Sequence, residues 1–155
     1  ILFFKVKYMA NICESLKIPA QKEKIFEMVT DFENFVEFFP YAESVKIIEN
    51  KNNQIITEEI ISFNYHGLKH KIEQKTVSKI LNDEIESTSI HGPFKGTVLN
   101  IKFEEIDNVT KVSVNIDLKT NLKYKFMSPL IKNLMKRMSL GILYKMMTKI
   151  NTKNN

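Results

Sequence analysis

From about position 43 to 120 the chain reads as strands joined by gaps too short to be anything but hairpins. Turn residues mark the joints: Asn50-Lys51-Asn52-Asn53, Gly67, Asn82-Asp83, the Gly92-Pro93 interruption and Asp107-Asn108. The strands between them cover 43–49, 54–66, 68–80, 84–91, 96–106 and 110–120. A parallel pair needs a crossover of a dozen or more residues, and no gap here provides one. Residues 9–18 add a seventh strand, with Ile12, Glu14, Leu16 and Ile18 on one parity.

Helices fill the rest. Pro19 opens one in which Ile25, Met28, Val29 and Phe32 follow helical spacing. A second short helix covers 33–39 and stops at Pro40, which cannot continue the hydrogen-bond ladder. Met127 to about Ile150 reads as one long helix, with Ser128 as N-cap and Pro129 at the first position. The expected fold is α+β: a seven-stranded curved antiparallel sheet wrapped around a long C-terminal helix, with two short helices after strand 1. A single domain is expected over 9–150, with 1–8 an N-terminal extension or the start of the first strand, and 151–155 a polar tail.

Composition excludes several classes. Hydrophobic residues at 43% and charged residues at 26% exclude a disordered chain, and four Gly with four Pro exclude a collagen-like or linker-rich one. The lone Cys13 cannot form an internal disulfide, which fits a reducing compartment. No apolar run reaches the ~18 residues that span a bilayer. Ile1-Leu2-Phe3-Phe4 is apolar but lacks the basic start and small-residue cleavage site of a signal peptide, and Met9 is a candidate natural start. The expected location is cytoplasmic, with contact at a membrane surface.

The net charge of +5 is split. All 18 acidic residues precede position 118, whereas nine of the 23 basic ones follow it. Residues 118–155 therefore carry +9 and the rest −4. Lys132, Lys136, Arg137, Lys145 and Lys149 form the expected surface for an anionic membrane, an RNA or an acidic partner. Alternatively they are a solvated helix face that suits its own dipole.

Strand parity describes the interior. In 68–80, Lys69, Lys71, Glu73, Lys75 and Lys79 share one face, so Leu68, His70, Ile72, Gln74, Thr76, Ser78 and Ile80 point inward. In 84–91, Ile85, Ser87, Ser89 and His91 point inward, while Ile90 breaks the pattern and marks a bulge. Val112, Val114, Ile116 and Leu118 point inward from the last strand. A solid core would not place Gln74, Thr76, Ser78, Ser87 and Ser89 on neighbouring strands, because small polar groups fill little volume and need partners. A cavity explains them; a solvent-facing sheet rim is the alternative.

Several short motifs resemble a known family. Ile18-Pro19-Ala20 with Ile25-Phe26, then Asp31, Phe35, Phe39 and Pro40, look like its helix-to-strand opening. Gly92-Pro93-Phe94-Lys95 followed by Phe103 looks like its glycine-proline-phenylalanine turn, and Thr110-Lys111-Val112 like the start of its penultimate strand. Over about 10–150 the chain resembles the START-like, helix-grip superfamily of polyketide cyclases/dehydrases and lipid-transport proteins. It is most similar to the coenzyme Q-binding and ribosome-association toxin branch. That branch often has tryptophan in the strand after the turn, where this chain has Ile101 and no Trp anywhere. The resemblance implies a hydrophobic cavity between sheet and terminal helix, holding a lipid, isoprenoid quinone or polyketide-like molecule.

The residues expected at the ligand are Phe35, Phe38, Phe39, Glu59, Phe63, His70, Gln74, Ser87, Phe94 and Phe103, with Met135, Met138, Ile142 and Met146 from the helix. Met127, Ile131, Leu134, Met135, Met138, Ile142 and Met146 share an arc of roughly 120°, and most of the seven methionines lie on this helix, where they suit an irregular cavity. A second apolar flank of Leu140, Leu143, Tyr144, Met147 and Ile150 lies beside Lys145, Lys149 and Lys153, as for docking on an anionic membrane. Gly141 is a hinge or a site of close packing. Of Glu58 and Glu59, on opposite strand faces, one should approach the interior. No metal, cofactor or catalytic residue is expected: the histidines lack ligand spacing, Cys13 lacks a base, and there is no phosphate loop or nucleophile elbow. Binding a hydrophobic small molecule is the leading function. A ribosome- or RNA-associated module, and a cyclase or hydratase using Glu59 or His70, are the alternatives.

Overall fold

The computed structural model describes residues 8–38, 41–121 and 128–153. Phe39, Pro40 and Met127 lie outside the described residues, as do the side chains of Ile131, Leu134, Met135 and Met138.

The elements run β1 (Tyr8–Ile18), α1 (Lys22–Thr30), a 3-10 helix (Asn34–Phe38), β2 (Ala42–Lys51), β3 (Gln54–Tyr65), β4 (Leu68–Ile80), β5 (Glu84–His91), β6 (Val98–Ile106), β7 (Val109–Thr120) and α2 (Ser128–Lys153). Every pairing is antiparallel, and the sheet order is β1-β7-β6-β5-β4-β3-β2. The chain thus crosses from one sheet edge to the other only between β1 and β2, where α1 and the 3-10 helix lie. This is the helix-grip arrangement.

Three hairpins turn on residue pairs in the left-handed region: Asn52-Asn53 (φ 52° and 59°), His66-Gly67 (49° and 74°) and Asp107-Asn108 (52° and 60°). Two consecutive positive φ values are the requirement of a type I′ turn, whose twist matches the flanking strands. Asn, Asp and Gly tolerate this conformation at little cost.

The first helix starts later than its proline. Pro19 and Ala20 form a bend, and Lys22 is the first helical residue. Gln21 makes no side-chain cap; instead the Lys22 backbone N–H donates to Glu105 Oε2 at 3.0 Å. A carboxylate from β6 therefore satisfies an orphan donor at the positive end of the helix dipole. Ile25 and Val29 are its buried face.

Inward parity holds along most of the sheet. Ile12, Ile18, Phe63, Ile72, Ile85, Phe103, Val112 and Leu118 are buried. Leu68 does not follow: it is 65% exposed, because it sits at the β3–β4 hairpin beyond the covered interior. His91 is also exposed rather than inward. Lys75 pairs with His91 and Thr76 with Ser89, so Ile90 is the extra residue of a bulge, and the bulge reverses the face of His91.

The described half of α2 buries Leu143, Met146 and Ile150, with Ile142 and Met147 partly buried beside them. Leu143 and Ile150 are thus core, and the apolar flank expected at a membrane is largely consumed by packing; within it Tyr144 stays 53% exposed. The helix continues past Ile150 to Lys153. Among the described residues, no atom outside its chain neighbours and the helix's own backbone comes within 4 Å of where a Cβ of residue 141 would stand, so none of them requires a glycine there.

Candidate functional site

A cavity of about 210 Å³ lies between the sheet's inner face and Ile142, Leu143 and Met146 of α2. Val29 of α1, Phe35 of the 3-10 helix and Tyr41 reach it from the helical connection. Ile61 and Phe63, Ile72, Leu99 and Ile101, and Val112, Val114 and Ile116 supply apolar wall from β3, β4, β6 and β7. Phe94 and Thr97 come from the turn after β5. Gln74, Thr76, Ser87 and Ser89 form a polar strip on β4 and β5.

The β5 side of that strip is enclosed, with Ser87 and Ser89 buried beside Ser78, whereas Gln74 and Thr76 on β4 are half-buried. Most of its hydroxyls are committed to the protein. Ser78 Oγ and Ser87 Oγ lie 2.7 Å apart. Ser89 Oγ donates to the His91 carbonyl at 3.4 Å, and Thr97 Oγ1 donates to the Lys119 carbonyl at 3.0 Å. The Lys119 N–H returns a bond to Thr97 Oγ1 at 2.9 Å.

Behind the strip stands Glu59, half-buried on the inward parity of β3 and paired in register with Gln74. Its carboxylate accepts hydrogen bonds from the hydroxyls of Thr57 and of Thr76, the latter at 3.0 Å. Burial pushes the Glu59 carboxyl up from its ordinary value, against the opposing pull of Thr57, Thr76 and Gln74; the charge of Glu58 adds to the rise. Glu58 faces the other way, exposed, 3.7 Å from Lys75 Nζ.

Of the residues expected at a ligand, Phe35, Phe63, Gln74, Ser87, Phe94, Ile142 and Met146 line the cavity. Four described ones do not. Phe38 is buried beneath Lys149, whose ammonium lies 4.8 Å from the ring centre. Phe103 is buried against Phe26 of α1, edge to face at 5.4 Å. His70 stacks on Phe63 at 5.4 Å between ring centres, near the hairpin end. Glu59 touches the cavity only through Thr76 and Gln74. Phe39 and the side chains of Met135 and Met138 lie outside the described residues.

Other wall positions escaped the sequence. Ile61 shares the parity of Phe63, and Leu99 and Ile101 that of Phe103, so alternation was a signal for them. Nothing local distinguished Leu143 from a surface leucine, because only the roll of α2 on the sheet turns it inward.

Among the expected surface residues, Lys132, Lys136, Arg137 and Lys145 are exposed. Lys136 also meets Glu14 at 3.4 Å, and Lys149 is paired with Glu37.

A family model described as polyketide cyclase / dehydrase and lipid transport matches residues 18–147. The chain belongs to this family. Among curated proteins it is similar to the ribosome association toxin RatA of Rickettsia prowazekii (strain Madrid E), with 27% identity over 81 residues. That match covers 50% of this chain and 54% of the relative, so the chain spans about half the length of the curated relative it matches. Among solved structures, the Zhui aromatase/cyclase from Streptomyces sp. R1128 superposes with a TM-score of 0.82 at 12% identity, covering 96% of this chain and 97% of that one. A START superfamily protein from Mycobacterium smegmatis gives 0.73 at 17% identity, covering 92% and 97%. These likenesses establish the fold of this family member. No described helix is long and apolar enough to cross a membrane.

Proposed function

We propose that this polyketide cyclase/dehydrase and lipid-transport family member binds and carries a hydrophobic small molecule, of the lipid or isoprenoid-quinone class, in the cavity between sheet and α2. The observation that carries this reading is the wall itself: apolar side chains from seven strands and helices border about 210 Å³, with most of the polar groups gathered in one strip. Binding sites have this composition, mostly apolar with a few placed polar groups. An engineered apolar cavity of about 150 Å³ already admits benzene. The exposed Lys132, Lys136, Arg137 and Lys145 support contact with an anionic membrane surface during loading. Native mass spectrometry of the purified protein, with solvent extraction of what it releases, tests the reading. An apolar molecule retained by the wild type and lost in Val114→Phe, which fills the cavity, is the expected result. No bound molecule, and no uptake of added lipid or quinone, would overturn it.

The similarity to the ribosome association toxin supports a second reading, in which the basic segment meets ribosomal RNA. Co-sedimentation with ribosomes that weakens as salt rises is its expected signature, and absence of binding at low salt rejects it. The cyclase reading has less support, since neither Glu59 nor His70 lines the cavity.

A further inference from the structure

The polar strip is not uniform in what it offers. Thr76 lines the cavity, and its hydroxyl proton is directed away from it, toward Glu59 Oε2 at 3.0 Å. An ionised carboxylate only accepts, so the Thr76 oxygen has a lone pair, not its proton, left for the cavity beside the one that faces Gln74 Nε2. Gln74 behaves likewise. Its Nε2 lies 3.5 Å from Thr76 Oγ1, and Gln74 faces Glu59 in register across β3 and β4. No described residue donates to Gln74 Oε1, and Gln74 lines the cavity. Glu59 itself has no cation among its described partners; Thr57, Thr76 and Gln74 surround it, and the charge of Glu58 works against its ionisation. A buried carboxylate held only by neutral donors is costly, and here it aligns two wall groups as acceptors.

We propose that this end of the cavity selects a ligand carrying a hydroxyl donor on an apolar body, with Thr76 and Gln74 accepting and Glu59 acting as the positioning residue behind them. The inference rests on the binding reading above and narrows its substrate class: a phenol, alcohol or the hydroquinone form of a quinone is favoured over a ketone, an oxidised quinone or a plain hydrocarbon. The volume of about 210 Å³ suits one ring with a short substituent, somewhat more than the benzene held by about 150 Å³. Of the other wall hydroxyls, Ser87 is bonded to Ser78 and Thr97 to both backbone groups of Lys119, whereas Ser89, which donates to the His91 carbonyl, is a further acceptor on the β5 side of the strip.

Titration calorimetry with three matched probes tests this: para-propylphenol, propylbenzene and acetophenone. The wild type should bind the phenol about tenfold more tightly than either of the others, the scale of one net hydrogen bond. Thr76→Val should weaken the preference to the part that Gln74 supplies while leaving propylbenzene affinity within about twofold, and Thr76→Ser should restore it. Glu59→Gln, whose amide can donate to Thr76 and turn the hydroxyl proton toward the cavity, should shift preference toward acetophenone. Equal binding of all three probes by the wild type overturns donor selection and leaves the binding reading standing. Preference for acetophenone in the wild type overturns it too. Failure of every probe to bind overturns both. The wild-type comparison decides without any variant, so a substitution that impairs folding does not remove the test.

Discussion

Gly92 packs so closely on Gln74 that a β-carbon at position 92 would stand 3.1 Å from Gln74 Cβ and 2.5 Å from the Glu73 carbonyl oxygen. The glycine also sits at φ +101°, a conformation side-chain-bearing residues rarely adopt. The turn that follows β5 is thereby pressed against the β4 residue that presents an amide to the cavity. Gly92→Ala must displace backbone, not merely a flexible side chain. It should cost about 1–3 kcal/mol, read as a lower midpoint in urea unfolding. An unchanged midpoint would reject the close approach.

Gly141 has the opposite surroundings. It lies within α2, and among the described residues nothing beyond its chain neighbours and the helix's own backbone crowds the place of a Cβ. Gly141→Ala should therefore stabilise the protein by about 0.5–1 kcal/mol, through helix propensity and a less flexible unfolded chain. Thermal unfolding of the variant measures this, and a fall in Tm would show that the helix needs the glycine.

The Glu59 carboxyl has its pKa raised in the folded state, chiefly by burial. The folded protein then holds this proton more tightly than the unfolded chain does. Its contribution to stability is fully present below the unfolded value and fades as pH rises through the raised folded one. Glu59→Gln removes the titration. Stability of the variant relative to the wild type should increase from acid toward neutral pH and level off above the raised value. Urea midpoints across that range give the answer; parallel profiles would count against it.

Ser78 and Ser87 satisfy one another across β4 and β5, buried, at 2.7 Å. Removing one hydroxyl orphans the other, at about 1–3 kcal/mol. Removing both leaves nothing unsatisfied. Ser78→Ala and Ser87→Ala should each destabilise, and the double variant should lose less than their sum by about 0.5–3 kcal/mol. Strict additivity in a double-mutant cycle would mean that the pair is not coupled.

Much of this architecture was legible along the chain. Asn52-Asn53 and Asp107-Asn108 announced their hairpins because few residues other than Asn, Asp and Gly tolerate two successive left-handed conformations. Ile90 announced a bulge because it broke an alternation that the strand otherwise keeps. The inward serines of β5 followed from the same period of two. What escaped was anything set by a neighbour distant in sequence. Phe38 and Phe103 read as ligand contacts, yet one is covered by Lys149 of α2 and the other by Phe26 of α1. Leu143 and Ile150 read as a membrane-facing flank, yet they are core.

Strand number, strand direction, hairpin turns and the inward parity are local matters, settled by backbone sterics and by which faces avoid water. The split of charge between a −4 body and a +9 terminal segment is likewise a property of residue order. Which inward side chains meet other side chains, and which border empty space, depends on how α1 and α2 settle on the curved sheet. Packing joins residues far apart in the chain, and no periodicity records its outcome. That is why alternation found the polar strip of Gln74, Thr76, Ser87 and Ser89, but only the assembled fold placed Glu59 behind it to orient Thr76.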